Sequence, residues 1–347
     1  MYSAITCLGV PSESCSIAQH VNNTRINNIE MAENKKQHVV PRFYLKGFSK
    51  DGERFFQFSA KTRKCVGVNI KDVCTRNYFY DLSSDVNHSF EKTLSAIESK
   101  QDIFLQPFLK QVREGRCNLE DYDTRFNLMF FMLFMNVRGF NTRDNTTKAI
   151  TESLNLAVKT LLNNESFKQK LEEETGRPFT LDPDKVKAYL TKDGEVMWHV
   201  QLFDKLELAA DWLCSNGFFH LYCIRTDRDV MWKSSFFTSD DPVYYEALED
   251  NGPYGQHGLL LPSTIYYMPL AHDVFAVIGD DNYRNKFGYE NKYGVSYLYT
   301  SDEESNTIIK NLNQLFITHA STDLFFSIDS NVVLPKKLLD LHERGII

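Results

Sequence analysis

The sequence lacks the spaced motifs by which several large enzyme classes are recognised. It contains no G-x-x-x-x-G-K-[ST], G-x-G-x-x-G, H-E-x-x-H or G-x-S-x-G pattern. These absences argue against P-loop nucleotide hydrolases, dinucleotide-binding domains, zinc peptidases and α/β-hydrolases. Nucleases whose sites consist of scattered carboxylates remain open, because such sites leave little mark in a single sequence.

The sequence also lacks paired cysteines and long apolar runs. Its 7 cysteines are odd in number and none are spaced C-x-x-C, which predicts reduced thiols rather than disulfides or a structural zinc site. The longest apolar run, Leu128 to Met135, is far short of the roughly 20 residues that span a bilayer. Residues 1–20 have neither a basic start nor a long apolar stretch, so no secretory signal is expected. We therefore expect a cytoplasmic protein without a membrane partner.

Charge is distributed unevenly along the 347 residues. The net charge of -7 argues against general coating of nucleic acid. The stretch from Lys35 to Arg76, however, holds eleven Lys and Arg residues against three acids. Such a basic surface suits a nucleotide or a nucleic acid. Alternatively, the basic stretch docks on the acidic remainder of the chain or is simply solvated.

The hydrophobic pattern changes twice along the chain and predicts an α+β fold. Residues 1–34 are rich in Ser, Asn and Thr and are expected to be disordered, with Met31 as an alternative start of translation. Residues 35–347 are predicted to form a single domain. Its parts are a small basic N-terminal lobe of short strands (35–82), a helical middle (89–213) and a mainly antiparallel C-terminal sheet with helices (217–347).

Short elements are predicted for the N-terminal lobe. Pro41 is expected at the first position of a short helix, where a missing N–H costs nothing. Phe55–Ser59 and Cys65–Val68 predict a hairpin, and Asn77–Leu82 predicts a third strand.

Longer elements are predicted for the middle of the chain. Tyr122–Arg138 is apolar on nearly every side, which predicts a buried central helix. Pro107 is expected to kink or split the helix that begins at Ser89. Further helices are expected around 184–191 and 202–213.

The stretch Gln37–Phe48, Q-H-V-V-P-R-F-Y-L-K-G-F, which we call the N-terminal signature, concentrates chemically active side chains. His38 is a candidate catalytic acid or base, because histidine titrates near neutrality. Lys36, Arg42 and Tyr44 are candidate phosphate or substrate ligands, since arginine binds phosphate through two parallel hydrogen bonds. Alternatively, His38 caps the short helix or bonds a backbone carbonyl.

Further candidate site residues lie on the predicted helices of the middle of the chain. Glu91 and Glu98 are seven residues apart and so lie on one side of their helix, about 10 Å apart along its axis. Together with His38 they are candidate ligands of a divalent metal, and Glu98 is also a candidate catalytic carboxylate. Asn136 and Arg138, at the end of the central helix, are candidate substrate-binding residues. Alternatively, the acids are solvated or form salt bridges, and Arg138 stabilises its helix end.

The segment T-S-D-D-P-V (238–243) closes a predicted strand in a tight turn. Asp240 is a candidate catalytic carboxylate held at the strand end. The alternative is turn chemistry, in which Ser and Asp side chains bond their own backbone and Pro242 restricts the turn.

Taken together, these segments resemble the bacterial domain-of-unknown-function 4238 family. The residues that carry the resemblance are H-V-V-P-R-F-Y-L-K-G-F (38–48), N-Y-F-Y (77–80), Glu91, Glu98, N-V-R (136–138), T-S-D-D-P-V (238–243) and Asn313. The resemblance spans about residues 35–330 and assigns the matching aspartate to Asp240 and a variable place to Asp241. It implies a soluble, bacterial or phage-borne protein and gives no activity.

Two functions remain open from the sequence. The first is a phosphodiester- or nucleotide-directed hydrolase, in which His38, Arg42, Glu98, Arg138 and Asp240 converge on one polar cleft. The second is a non-catalytic binding or regulatory module, in which the same charged groups form a structural ion-pair network.

Overall fold

The computed structural model describes residues 36–59, 61–80, 82, 89–225, 235–247, 263–319 and 323–326. By its contacts the chain divides between Asn34 and Lys35, and all of the described residues belong to the second unit. The predictions for residues 1–34, including the start at Met31, lie outside the described residues.

The N-terminal segment begins with two short paired strands. β1 (Lys36–His38) pairs antiparallel with β4 (Thr75–Asn77). The short helix α1 (Arg42–Leu45) follows β1 and is continued by a turn of 3-10 helix over Lys46–Phe48. Pro41 lies one position earlier than predicted, as the extended N-cap residue with φ -62° and ψ 141°.

The predicted hairpin is confirmed, and the third predicted strand is wrong. β2 (Arg54–Ser59) and β3 (Lys64–Asn69) pair antiparallel. The prediction of a strand over Asn77–Leu82 fails because β4 ends at Asn77. Tyr78 has a φ of 52°, and this left-handed conformation interrupts the extended path of a strand.

Helices fill the described middle of the chain. They are α2 (Ser89–Arg113), α3 (Tyr122–Arg138), α4 (Phe140–Leu162), α5 (Glu165–Thr175), α6 (Lys192–Phe203) and α7 (Leu206–Asn216). Pro107 lies inside α2, so the predicted split does not occur. The predicted helix over 184–191 is wrong, because Thr191 is the N-cap whose side chain accepts a hydrogen bond from the N–H of Gly194.

Among the described residues of the C-terminal half, five strands form one sheet. Its strands are β5 (Gly217–Arg225), β7 (Tyr244–Ala247), β8 (Thr264–Ala271), β9 (Val274–Asp280) and β10 (Tyr293–Tyr299), in the order β10-β5-β9-β8-β7. Only β10 and β5 pair in parallel, and the other neighbours pair antiparallel. The predicted α+β class with a mainly antiparallel sheet is therefore confirmed.

A second sheet joins the two ends of the described chain. β6 (Thr238–Ser239) and β11 (Asp323–Phe326) complete a four-stranded sheet in the order β3-β2-β11-β6. β11 lies between β2 and β6 and is antiparallel to both. The basic hairpin therefore shares its sheet with the strand that precedes the S-D-D-P-V turn.

Two hydrophobic clusters cover opposite faces of β9. Val274, Ala276 and Ile278 pack in one cluster with α3 and α7. Phe275 and Val277 pack in the other with α8 (Glu303–His319). This alternation is what a strand buried on both faces requires.

The central helix α3 is buried as predicted. Its side chains at Leu128, Met129 and from Phe131 to Val137 are almost fully enclosed. A fully buried Leu or Phe side chain contributes about 1.5–3 kcal/mol, so α3 provides a rigid base for the polar residues at its C-terminal end. None of the helices within the described ranges combines the length and the apolar character that a membrane span requires.

Candidate functional site

Arg138, the last residue of α3, is the centre of a buried polar cluster. Its Nε donates to the carbonyl of Val39 at 3.1 Å. Its other nitrogens donate to the carbonyl of His38 and form an ion pair with Glu98. The side chain of Arg138 is only 2% exposed, whereas that of Glu98 is 28% exposed. The arginine therefore attaches β1 and α2 to the end of α3.

The surroundings of Arg138 keep it charged. The guanidinium faces the rings of Tyr80 and Phe134, at 5.6 and 5.2 Å from their centroids. Burial acts to lower the pKa of Arg138, but the phenol of Tyr80 and the carboxylate of Glu98 outweigh it, so the pKa is raised. For Tyr80, in contrast, burial raises the pKa, to about 12. The cluster is therefore a protonated guanidinium with its charge already matched.

Both predicted carboxylates of α2 face this cluster. Glu98 pairs with Arg138 directly, and Glu91 acts electrostatically on Arg138 and Tyr80. The spacing of seven residues thus brings the two acids to one side of the helix, and the cation that they meet there is Arg138. Within the described residues, no group of three or more His, Cys, Asp or Glu is arranged to hold a metal ion.

The other predicted substrate ligands near the start of the domain are Lys36, Arg42 and Tyr44. The Tyr44 hydroxyl lies 2.6 Å from Oγ1 of Thr238 and donates to the carbonyl of Pro269 at 2.7 Å. Burial raises the pKa of Tyr44 well above its usual value. Arg42 is exposed, and Lys36 enters the structure as the first residue of β1. The buried Tyr44 and the exposed Arg42 therefore do not share one environment.

Asp240 links the S-D-D-P-V turn to β11. Its backbone N–H donates to the carbonyl of Asp323 at 3.1 Å, and its Oδ1 accepts the N–H of Asp323 at 3.3 Å. The residue is 4% exposed. Its negative charge acts on its neighbours by raising the pKa values of Cys74 and Asp241.

Asp241 lies against the junction between α3 and α4. A side chain at Gly139 would overlap Oδ1 of Asp241. Gly139 is the N-cap residue of α4 and has no side chain with which to cap it. Asn141, in the first turn of α4, hydrogen-bonds the Asp241 carboxylate through its backbone and its side chain, so Asp241 supplies the missing cap from another part of the chain. Asn136, 2% exposed, accepts the N–H of Gly139 at 3.0 Å through its carbonyl.

The Asp241 carboxyl group has a strongly perturbed pKa. Burial raises the pKa of Asp241 to about 7, the charge of Asp240 adds to the rise, and the hydrogen bonds from Asn141 oppose it. Its Oδ1 is inaccessible and accepts no hydrogen bond from any described residue. A carboxyl group with a pKa near 7 can both donate and accept a proton at neutral pH.

A cavity of about 290 Å³ lies beside Asp241, between the first turns of α4 and strand β7. Its polar lining residues other than Asp241 are Asn141, Thr142, Asn145 and Glu246, and its aromatic ones are Tyr244, Tyr245 and Phe316. Burial and the charge of Asp241 together raise the pKa of Tyr245. The cavity therefore combines one titrating carboxyl group, amide and hydroxyl groups, and aromatic surface.

Glu246 is held in place by two phenols of the sheet. The hydroxyl of Tyr244 donates to Oε2 of Glu246 and that of Tyr267 donates to Oε1, each at 3.0 Å. The rings of Tyr244 and Tyr267 are stacked with centroids 5.6 Å apart. The second carboxyl group of the cavity is thus oriented by its neighbours.

Another concavity, of about 440 Å³, lies beside α4 and residues 183–189. Its charged residues include Lys159 and Asp184, which pair with each other at 2.6 Å and are largely exposed. A solvated surface pair of this kind contributes little. The cavity beside Asp241 is therefore the stronger candidate for chemistry.

The sequence singles out Asp240, whereas the structure places the neighbouring Asp241 in the lining of the cavity. Both aspartates are buried, and spacing in the sequence cannot decide which of the two carboxyl groups lies beside the cavity. The expected turn chemistry is present, because Ser239 Oγ donates to the Asp241 carbonyl at 2.6 Å. A usable signal was Gly139: a glycine directly before a long helix means that the cap must come from elsewhere.

A family model described as a protein of unknown function (DUF4238) matches residues 36–330. Because this match covers most of the chain, the protein belongs to that family. Neither the curated proteins nor the solved structures gave a match.

Proposed function

We propose that this member of the DUF4238 family is a hydrolase that acts on a small molecule in the cavity beside Asp241, with Asp241 as its general acid and base. The observation that carries the proposal is the carboxyl oxygen of Asp241, which is buried beside a cavity without a hydrogen-bond partner among the described residues. Leaving a buried polar atom unpaired costs about 1–3 kcal/mol. Rotation of the carboxyl group toward the cavity would let a substrate or water satisfy it.

The proposed step needs only water and one carboxyl group. The Asp241 carboxylate accepts a proton from water while the water oxygen forms a bond to the electrophilic centre of the substrate. The bond to the leaving group then breaks, and Asp241 returns the proton to that group. Its pKa of about 7 suits both directions of transfer at neutral pH.

In this proposal the role of the Arg138 cluster is to position Asp241. Arg138 is joined through the backbone to Gly139, the residue against which Asp241 packs. Its bonds to the carbonyls of His38 and Val39 are made inside the protein, which favours the structural ion-pair network over phosphate binding. If no turnover is found, a non-catalytic module built on this network is the function that remains.

A phosphodiester or nucleotide substrate is a second candidate, favoured by the basic stretch of the chain. Every Lys and Arg of that stretch whose side chain the structure describes is exposed: Arg42, Lys46, Lys50, Arg54, Lys61, Arg63, Lys64, Lys71 and Arg76. Exposed cations attract polyanions over distances of about a Debye length. The basic surface would then bind the phosphates of the substrate.

The experiment is a hydrolysis panel with p-nitrophenyl esters, p-nitrophenyl glycosides, aminoacyl p-nitroanilides and bis-p-nitrophenyl phosphate. We expect turnover of at least one substrate, with a rate that follows a single group titrating near pH 7. Asp241→Asn should lower kcat by about 10²–10⁴-fold, the usual contribution of a general acid or base.

The control is Asp184→Asn, the same substitution at an exposed aspartate outside the cavity. It should leave the rate unchanged. Full activity in a folded Asp241→Asn variant, or no turnover anywhere in the panel, would overturn the proposed hydrolase. Hydrolysis confined to the phosphodiester would select the second candidate.

A further inference from the structure

We infer that the cavity beside Asp241 binds the positively charged end of an organic cation, such as an alkylamine or a quaternary ammonium group. This inference rests on the proposed function, because it names the substrate class of the same site. It follows from the charge, the aromatic lining and the size of the cavity.

The charge of the lining has one sign. Asp241 and Glu246 are acidic, and no Lys, Arg or His is among the described residues that line the cavity. Asp240 adds a further negative charge close to Asp241. A cation entering the cavity would favour the ionised form of Asp241 and be attracted by both carboxylates. A phosphate or carboxylate ligand would meet repulsion from the same groups.

The helix N-terminus beside the cavity does not reverse this preference. The start of α4 would by itself attract an anion. That position is already taken by Asp241, which is hydrogen-bonded to Asn141 in the first helical turn. The positive end of the helix is therefore matched by a residue of the protein.

The aromatic lining favours an organic cation over a metal ion. Tyr244, Tyr245 and Phe316 line the cavity, and aromatic faces attract ammonium groups, quaternary ones in particular. A metal ion would need several donors, and no metal-binding group of three or more His, Cys, Asp or Glu occurs in the part of the chain that the structure describes. Aromatic rings and two carboxylates match an alkylated ammonium better.

The size of the cavity limits the ligand to a small molecule. Its volume of about 290 Å³ lies at the lower end of ligand pockets. The amide of Asn145 and the hydroxyl of Thr142 also line the cavity and can bind a polar group elsewhere on such a molecule. The ligand is therefore a compact cation that carries further hydrogen-bonding groups.

The test compares choline with 3,3-dimethylbutan-1-ol, which has the same shape with carbon in place of the charged nitrogen. Both are titrated into the full chain by calorimetry at pH 8, where Asp241 is ionised. We expect choline to bind at least tenfold more tightly than the alcohol. Equal affinities, or no binding of choline at 10 mM, would overturn the inference.

Variants locate the binding and separate the inference from the proposed function. Glu246→Gln should weaken choline at least fivefold without weakening the alcohol, whereas Asp184→Asn should change neither affinity. A folded Glu246→Gln variant with unchanged choline affinity would overturn the inference. A tenfold preference for choline together with full turnover in Asp241→Asn would support the cation site while removing the proposed catalytic role.

Discussion

The two adjacent aspartates of the S-D-D-P-V turn differ in their surroundings, because their side chains contact different partners. The Asp240 carboxylate accepts the backbone N–H of Asp323 in β11 at 3.3 Å. Asp241 lies against the α3–α4 junction. There the effect of burial, which raises the pKa of Asp241, outweighs that of the hydrogen bonds from Asn141, which lower it. The carboxyl group with the strongly raised pKa is therefore that of Asp241, and Asp240 acts on it as a neighbouring negative charge.

The raised pKa of Asp241 predicts a specific dependence of stability on pH. The folded protein holds this proton up to about pH 7, whereas an unfolded aspartate loses it near pH 3.9. The protonated group therefore stabilises the fold fully below about pH 4, and this contribution is lost as the pH rises through 7. About three pKa units correspond to ~4 kcal/mol in the free energy of unfolding.

Asp241→Asn cannot ionise and should escape this loss. Its free energy of unfolding, relative to that of the unsubstituted protein, should increase by several kcal/mol between pH 4 and pH 8, as measured by urea unfolding. The same comparison for Asp184→Asn should give a difference that is nearly independent of pH. A flat profile for Asp241→Asn would show that the carboxyl group titrates normally.

At the scale of elements, the junction between α3 and α4 depends on one glycine. Gly139 has φ -58° and ψ 149°, a conformation open to any residue. The reason for glycine is therefore space, because a Cβ would overlap Oδ1 of Asp241. The connection between the two helices is thus held by Arg138, the residue before Gly139, and by Asp241, which comes from a distant part of the sequence.

Gly139→Ala should destabilise the protein by about 1–3 kcal/mol, the usual effect of overpacking. Because the added methyl displaces the Asp241 carboxyl group, the same variant should also lose hydrolytic activity. Chemical unfolding at pH 7 and the turnover assay measure the two effects. The matched control is Gly67→Ala in β3, where the nearest atom to a new Cβ is 3.8 Å away. Equal stabilities of the two variants would exclude a tight contact at Gly139.

At the scale of the whole molecule, side chains and strands join segments that are far apart in the sequence. Arg138 binds carbonyls of β1 and a carboxylate of α2. Tyr44 joins α1 to Thr238 and Pro269 in the C-terminal half. β11 closes the four-stranded sheet between β2 and β6. The buried residues of the N-terminal signature, such as Tyr44, Leu45 and Phe48, are therefore part of the core.

Arg138→Ala should lower the free energy of unfolding by about 3–5 kcal/mol, because removing one partner of a buried ion pair leaves the other groups uncompensated. Arg42→Ala, an exposed arginine of the same signature, should change it by less than about 0.5 kcal/mol. His38→Ala keeps the carbonyl that Arg138 binds and should cost less than Arg138→Ala. Thermal and urea unfolding measure all three. Similar losses for Arg42→Ala and Arg138→Ala would contradict the cluster.

The sequence by itself determined the features that local chemistry controls. The period of apolar residues predicted α3 to its ends and the hairpin of β2 and β3, because burial pattern and turn residues act within a few positions. The seven-residue spacing of Glu91 and Glu98 predicted that they face one side of α2. The signature residues and the S-D-D-P-V turn were sufficient to indicate the family.

Only the tertiary structure decided which groups meet. It placed Arg138 beside β1 and Glu98, paired β10 in parallel with β5, and inserted β11 between β2 and β6. It also buried both aspartates of the turn and set the carboxyl group of Asp241 against a glycine about a hundred positions earlier in the chain. Burial sets the pKa of a carboxyl group, and burial is a property of the packed molecule that no spacing in the sequence records.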